Sequence, residues 1–425
     1  MTGDQFSQNA ADFQHPADST EDVRACRTRL AHIIEPSDTA GLLLLRALGP
    51  QVLWRSITEL QEPTRALRSV LHKATQEWLP GFRTPDLTAR FEAWRSRLPV
   101  PATDVEQRHA LRVGAWTVIP EDPDWPGQLA DLGLQQPIVL WGRGDRALLG
   151  RLRGSVAVVG SRNASAYGAA VTRGIAQELV AADRCVVSGG AFGIDAEAHT
   201  TALQTAAGPG ATVAVLACGV DRFYPAGNAE LLGRICQRGL LLSEVPFGCA
   251  PTRYRFLQRN RIIAALTCAT VVTEAAWRSG SLNTARHAAG LSREVAAVPG
   301  DVLVGSSAGC HRLVREDHAV LVSNGSEVLE LVAPLGTPPD ETHPGASGLD
   351  RRPEDDLDPQ LLRLFDALPL HRDADPSSLC RVSGLAPGDV LAGLATLRER
   401  GLATDSLLGW RRVGSQHGRP GRDPR

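Results

Sequence analysis

Seven short apolar runs, rich in β-branched residues, recur through the middle of the chain at 155–159, 185–188, 212–216, 240–243, 269–273, 295–298 and 319–322. Stretches of helical periodicity separate most of them. One, over 166–180, places Val171, Ile175 and Leu179 four residues apart. Strands that are apolar throughout rather than alternating, with helices between them, predict a parallel sheet covered on both faces. The fold class expected over 112–333 is therefore α/β with a Rossmann-like parallel sheet core.

The flanks read differently. Residues 21–111 carry helical periodicity, and Gly49-Pro50 divides the run around Leu43, Leu44, Leu48, Val52, Leu53 and Ile57 into two short helices. A small helical, SAM-like domain is expected there, with a packing or partner-docking role. Residues 334–356 are rich in Pro, Gly, Asp and Thr and are expected to be a linker. Over 357–413 the pattern is helix, helix, turn at Ser383-Gly384-Leu385, helix and β-pair, the order of a winged helix. Residues 1–20 read as a disordered leader and 414–425 as a basic tail.

Composition narrows the function. Charged residues make up 22% of the 425 residues and the net charge is −2, which excludes a chain that is basic all over but leaves room for a local basic face. Lys73 is the only lysine, so the cations are almost all arginine, whose planar fork suits phosphate. The eight cysteines stand singly, without CxxC spacing, so neither a zinc site nor a disulfide framework is expected. No apolar run approaches the ~18–20 residues of a membrane span. A reduced, cytoplasmic protein with no cofactor or metal is the expectation.

Three strand ends carry candidate chemistry. The first runs into Gly160-Ser161-Arg162 and then a helix, aiming backbone N–H groups and the positive helix end at one point, with Arg162 as an added donor. The spacing is not GxGxxG, so a dinucleotide is not the natural guest. The second continues through Ser188-Gly189-Gly190, where adjacent glycines permit close backbone approach. Asp195 and His199 follow one helical turn apart; a helix cap and a hydrogen-bonded core histidine explain them better than an acid–base pair. The third passes through Arg278-Ser279-Gly280. Loops of this kind gather along one edge of a doubly wound sheet and would form a groove, which suits a polymer.

The densest signal is 253–261, where Arg253, Tyr254, Arg255, Phe256, Arg259, Asn260 and Arg261 fall within nine residues that include no acid. Guanidinium groups can bind successive phosphates while an aromatic face stacks an unpaired base. A solvated charge run is the plainer explanation, and the interleaved aromatics and absent countercharge speak against it.

Taken together and in order, GSRNASAYG (160–168), SGGAFGIDAEAH (188–199), ACGVDRFYPAGN (217–228), SEVPFG (243–248), RFLQRNRIIAAL (255–266), TEAAWRSGSLNTAR (273–286) and REVAAVPG (293–300) closely resemble the DNA-processing protein A family, DprA or Smf. The resemblance implies a non-enzymatic protein of natural transformation that binds and shields incoming single-stranded DNA. It further implies help in loading RecA recombinase, and a homodimer formed through the Rossmann-like domain. By position it implies phosphate binding by Ser161, Arg162, Ser188, Gly189, Gly190, Arg259, Asn260 and Arg261, with Phe256 stacking a base. Leu257 stands where the family often has proline, Arg255 where a smaller polar residue is frequent, and Ser292 where glycine is common.

Two rivals differ in class. A nucleotide phosphoribohydrolase would need a catalytic glutamate after its glycine turn, but Glu274 precedes the turn at 278–284 and is expected to order local arginines. A transcription regulator would read duplex DNA with the third helix of the winged helix. That helix carries Asp389 near its start and its cations, Arg398 and Arg400, at its end.

Overall fold

The computed structural model describes residues 19–101, 103–333, 354 and 357–413. Apart from Ser19, Thr20 and Glu354, the expected leader, linker and tail lie outside the described residues. The chain forms two compact units, one holding everything up to the end of the sheet region and the other the C-terminal helices and hairpin.

Among the described residues, six helices open the first unit: α1 (Thr20–Ile33), α2 (Thr39–Leu48), α3 (Pro50–Glu59), α4 (Arg65–Trp78), α5 (Leu87–Arg95) and α6 (Thr103–Val113). Side chains of Ser19, Asp38, Thr64 and Asp86 cap α1, α2, α4 and α5. The break expected at Gly49-Pro50 is present: Gly49 takes a positive φ of 76° and Pro50 starts α3 without needing an N–H partner. Leu30, Ile33, Leu43, Leu44, Leu53, Ile57, Phe91 and Trp94 form the core of this region. Buried Trp94 donates from Nε1 to Asp38 at 3.0 Å.

All seven expected strands occur: β3 (Val156–Gly160), β4 (Val186–Ser188), β5 (Thr212–Val215), β6 (Leu240–Ser243), β7 (Ala269–Glu274), β8 (Glu294–Ala297) and β9 (Val320–Leu321). They run parallel in the order β6-β5-β4-β3-β7-β8-β9. The sheet is nevertheless mixed. Two strands not anticipated, β1 (Ala115–Val118) and β2 (Leu140–Gly144), extend the β6 edge antiparallel to their neighbours. They are short, β2 carries two glycines and an arginine, and only a 3-10 helix (Gly127–Gln135) rather than an α-helix separates them, so neither criterion applied to the others finds them.

Between the strands lie α7 (Ala166–Ala181), α8 (Ile194–Thr205), α9 (Ala229–Arg238), α10 (Arg253–Leu266), α11 (Ser281–Gly290), α12 (Ala308–Arg315) and α13 (Gly325–Leu331). Side chains alternate across the sheet as the period of two requires. Ala157 and Val159 pack with Ile262, Leu266 and Leu282 on one face, while Val156 and Val158 pack with Ile175, Leu179 and Ile194 on the other. Chain order reverses between β3 and β7, so the loops after these strands flank a topological switch point, where doubly wound sheets open a crevice.

The second unit contains α14 (Pro359–Ala367), α15 (Pro376–Ser383), α16 (Pro387–Glu399) and a hairpin of β10 (Ala403–Ser406) and β11 (Gly409–Arg412), around Leu364, Phe365, Leu379, Val390, Leu394 and Leu397. Among the described residues no helix is long and apolar enough to cross a membrane.

Candidate functional site

The C-terminal ends of β3, β4 and β5 meet the N-terminal turns of α10 in a small cleft of about 70 Å³, lined by Arg162, Gly189, Phe192, Tyr224, Pro225 and Phe256 among others. Arg162 is exposed, with its guanidinium carbon 4.8 Å from the Phe256 ring centroid. Arg259, one turn further along α10, lies 5.9 Å from the same ring, and Tyr224 packs on it at 6.0 Å. Phe256 is thus flanked by two guanidinium groups and one phenol, a cation–π arrangement. Phe192 and Tyr224 are half-exposed at the mouth. Neither was expected at the site, although both lie in the glycine-rich segments that follow β4 and β5.

Arg259 carries the site's main electrostatic peculiarity. It is 5% exposed, donates from Nη1 to the Val215 carbonyl at 3.2 Å, and leaves Nε buried without a partner. Burial pushes its pKa down, opposed by the nearby Asp195 carboxylate. Gly189 makes room for it: a Cβ there would stand 1.3 Å from Arg259 Nη1. A buried cation without a hydrogen-bonded carboxylate therefore backs the wall of the cleft.

The backbone loops differ from the open phosphate nests expected in the sequence. Glu274, buried at the end of β7, accepts from Ser165 N at 2.9 Å, so a carboxylate of the protein occupies the start of α7. Gly168 permits this, since a Cβ would meet Glu274 Oε2 at 2.2 Å. Glu274 therefore orders the first loop rather than arginines, which corrects the expectation for it. In the second loop Asp195 Oδ2 accepts from Gly189 N (3.2 Å) and Ala191 N (3.3 Å), and Asn228 Nδ2 donates to the Gly190 and Ala191 carbonyls at 3.0 Å. Burial raises the Asp195 pKa. His199 is fully buried, bonded through Nδ1 to Thr212 Oγ1 at 2.7 Å, with a pKa pushed down to about 3 by burial. The pair holds structure and does not face the cleft.

The arginine run is also corrected. It lies on α10 itself, and countercharge reaches it from elsewhere in the chain. Arg261 is 1% exposed and paired with Glu244 through two bonds of 2.6 Å. Arg255 is paired with Glu35 of the N-terminal helices at 2.9 and 3.3 Å. Arg261 is held inside the fold and Arg255 is half-buried in its ion pair, so neither is a free cation on a rim. Ser188 is buried and donates to the Val158 carbonyl at 2.7 Å, while Asn260 is buried and donates to Gly280 O and Asn283 Oδ1. Gly160 has Ile194 Cγ1 at 2.6 Å and Glu274 O at 2.8 Å from its virtual Cβ, and so serves close packing.

Of the residues singled out in the sequence, Arg162, Gly189, Phe256 and Arg259 come together at the cleft; Gly190, at positive φ, shapes its loop. Ser161 accepts from Asn163 N at 3.2 Å in the loop that carries Arg162. Arg253 is exposed at the start of α10, and Arg278, Ser279 and Gly280 lie in the loop beyond β7. A larger cavity of about 550 Å³ lies at the opposite ends of the strands, lined by Trp125, Arg153 and Arg293 together with Asp124 and Asp131 among others.

The match to known proteins spans this whole region. Residues 116–333 match the family model for DNA recombination-mediator protein A. A putative DNA processing protein DprA of Mycobacterium tuberculosis is 42% identical over 71% of this chain and 78% of its own length. Protein Smf of Synechocystis is 36% identical over 67% of this chain and 77% of its own. The X-ray structure of DNA processing protein A from Streptococcus pneumoniae is similar with a TM-score of 0.53 at 32% identity, over 73% of this chain and 96% of that one.

Proposed function

We propose, from the premise that this chain belongs to the DNA recombination-mediator protein A family, that it is a cytoplasmic, non-catalytic single-stranded-DNA-binding protein of DNA processing and recombination. The carrying observation is Phe256 with the Arg162 and Arg259 guanidinium groups 4.8 and 5.9 Å from its ring centroid, at the C-terminal ends of β3, β4 and β5. A phosphate needs the guanidinium charge, an unpaired base needs an aromatic partner, and a duplex offers an unpaired base only when melted. Gly160, Ser161, Ser188, Gly190, Asn260 and Arg261 support this site from behind, and Arg253, Arg278, Ser279 and Gly280 extend it along the rim. The expected RecA partnership and the protection of incoming DNA belong to the same reading. So do the SAM-like assignment of the N-terminal helices, the winged-helix assignment of 357–413, and 112–333 as the DNA-binding domain.

Fluorescence anisotropy with oligothymidylate and with a duplex of equal length, across a salt series, tests the proposal. Single strands bind more tightly, and Arg162→Ala weakens that binding about tenfold while lowering the salt slope by roughly one. Equal affinity for the duplex, or an unaltered Arg162→Ala titration, would remove the cleft from consideration.

The β9 edge supports the reading that the protein forms a homodimer. Val320 and Leu321 of β9 are half-exposed, and Val302 and Leu303 in the loop after β8 are 82% and 90% exposed. An unpaired strand beside bare aliphatic side chains is a template for association. Leu303→Asp should convert a dimer into a monomer in sedimentation velocity; a persisting dimer would place the interface elsewhere.

A further inference from the structure

Beyond the cleft, the loop after β7 carries a second pairing of ring and guanidinium. Trp277 is 50% exposed, and Arg312 of α12 holds its guanidinium carbon 4.7 Å from the indole centroid. Backbone packing builds this contact. Gly309 N donates to the Ala275 carbonyl at 2.7 Å, and a Cβ on Gly309 would stand 2.7 Å from the carbonyl oxygens of Ala275 and Ala276. The first turn of α12 is therefore pressed onto the loop, and Arg312, three residues on, is delivered to Trp277. Its ion pair with exposed Glu316 is loose, at 3.9 Å. Arg278, next to the tryptophan, is exposed.

The loop is anchored from the cleft side. Asn260 of α10 donates to the Gly280 carbonyl, and Ser161 N donates to Glu274 O at 2.7 Å. Since β7 pairs directly with β3, the loops bearing Trp277 and Arg162 rise side by side at the switch point. A half-bare indole with cations on and beside it combines the two requirements of a strand without pairing: a flat surface for a base and charge for the backbone.

We propose that Trp277 is a second stacking platform for single-stranded DNA, with Arg312 fixing the indole and Arg278 meeting the adjacent phosphate. The proposal rests on the single-stranded-DNA reading above and extends the strand's path across the β3–β7 boundary, away from Phe256. It assigns Trp277 and Arg312 a role in binding unpaired bases of any sequence.

The test pairs Trp277→Ala with two ligands of equal length, oligothymidylate and an abasic sugar-phosphate strand, in anisotropy titrations of the full chain. Loss of stacking should weaken oligothymidylate roughly tenfold, leave the salt slope unchanged, and leave the abasic strand unaffected. Trp277→Phe should recover most of the affinity, and Trp277→Ala should sediment as the wild-type protein does. An equal effect on both strands, no effect on either, or a changed sedimentation coefficient of Trp277→Ala would overturn the platform. Failure of the parent reading is distinct: wild-type protein would then bind neither strand, or Arg162→Ala would have no effect.

Discussion

Gly189→Ala is expected to reduce single-stranded-DNA affinity by about ten- to a hundredfold while leaving the fold intact. The new Cβ would fall 1.3 Å from Arg259 Nη1, 2.2 Å from its Cζ and 2.4 Å from Nη2. What it strikes is the tip of a flexible side chain, so the guanidinium yields and the backbone does not. Moving the buried cation away from the cleft removes a charge-assisted contact, worth ~1.5–3 kcal/mol. Gly193→Ala makes the contrast. Gly193 has a φ of +73°, and a Cβ there would meet Ser161 O at 2.3 Å, so that substitution strains two packed loops and should lower the melting temperature. Should Gly189→Ala bind DNA as tightly as wild type, Arg259 has no part in recognition.

The second large effect is on stability. Arg261→Met should destabilise the protein by about 3–5 kcal/mol, because it strands the Glu244 carboxylate in the interior. The pair is closed by two 2.6 Å bonds, and Arg261 also donates to the Gln135 and Gln258 carbonyls. Changing both partners, Arg261→Met with Glu244→Met, should restore a substantial part of the loss, since no lone charge remains buried. Denaturant unfolding measures both variants. A single variant as stable as wild type would mean that the ion pair does not hold α10 to the segment after β6. A reduction in DNA binding by Arg261→Met is expected only in proportion to unfolding.

The core was legible in the sequence because parallel strands covered on both faces, as all but the edge strand β9 are, run almost continuously apolar. Each of the seven runs between Ser155 and Val322 therefore announces itself, and the C-terminal helices and hairpin follow equally plain breaks at Pro376, Pro387 and Gly409. The strands β1 and β2 escaped because an antiparallel edge needs neither a continuous apolar run nor an intervening helix. At the site, the glycines, Arg162 and Phe256 were visible as residue types that only close approach or recognition explains. The allotment of the arginines was not. Glu35 lies 220 residues from Arg255, and Glu244 follows a different strand, so the absence of acids within 253–261 said nothing about countercharge in three dimensions. The same holds for Glu274 and Asp195, which fill backbone positions that looked free for phosphate.

The contacts at the start of α10 bear on how the N-terminal helices and the cleft work together. Arg255 grips Glu35, the Tyr254 hydroxyl donates to the Pro36 carbonyl at 2.7 Å, and Ser37 is bonded to Gln258. All three fasten the α1–α2 turn to the very turns of α10 that present Phe256 and Arg259. The helical region is thus a brace rather than a tethered appendage, bolted by three side-chain contacts to the turns that carry the Phe256 ring.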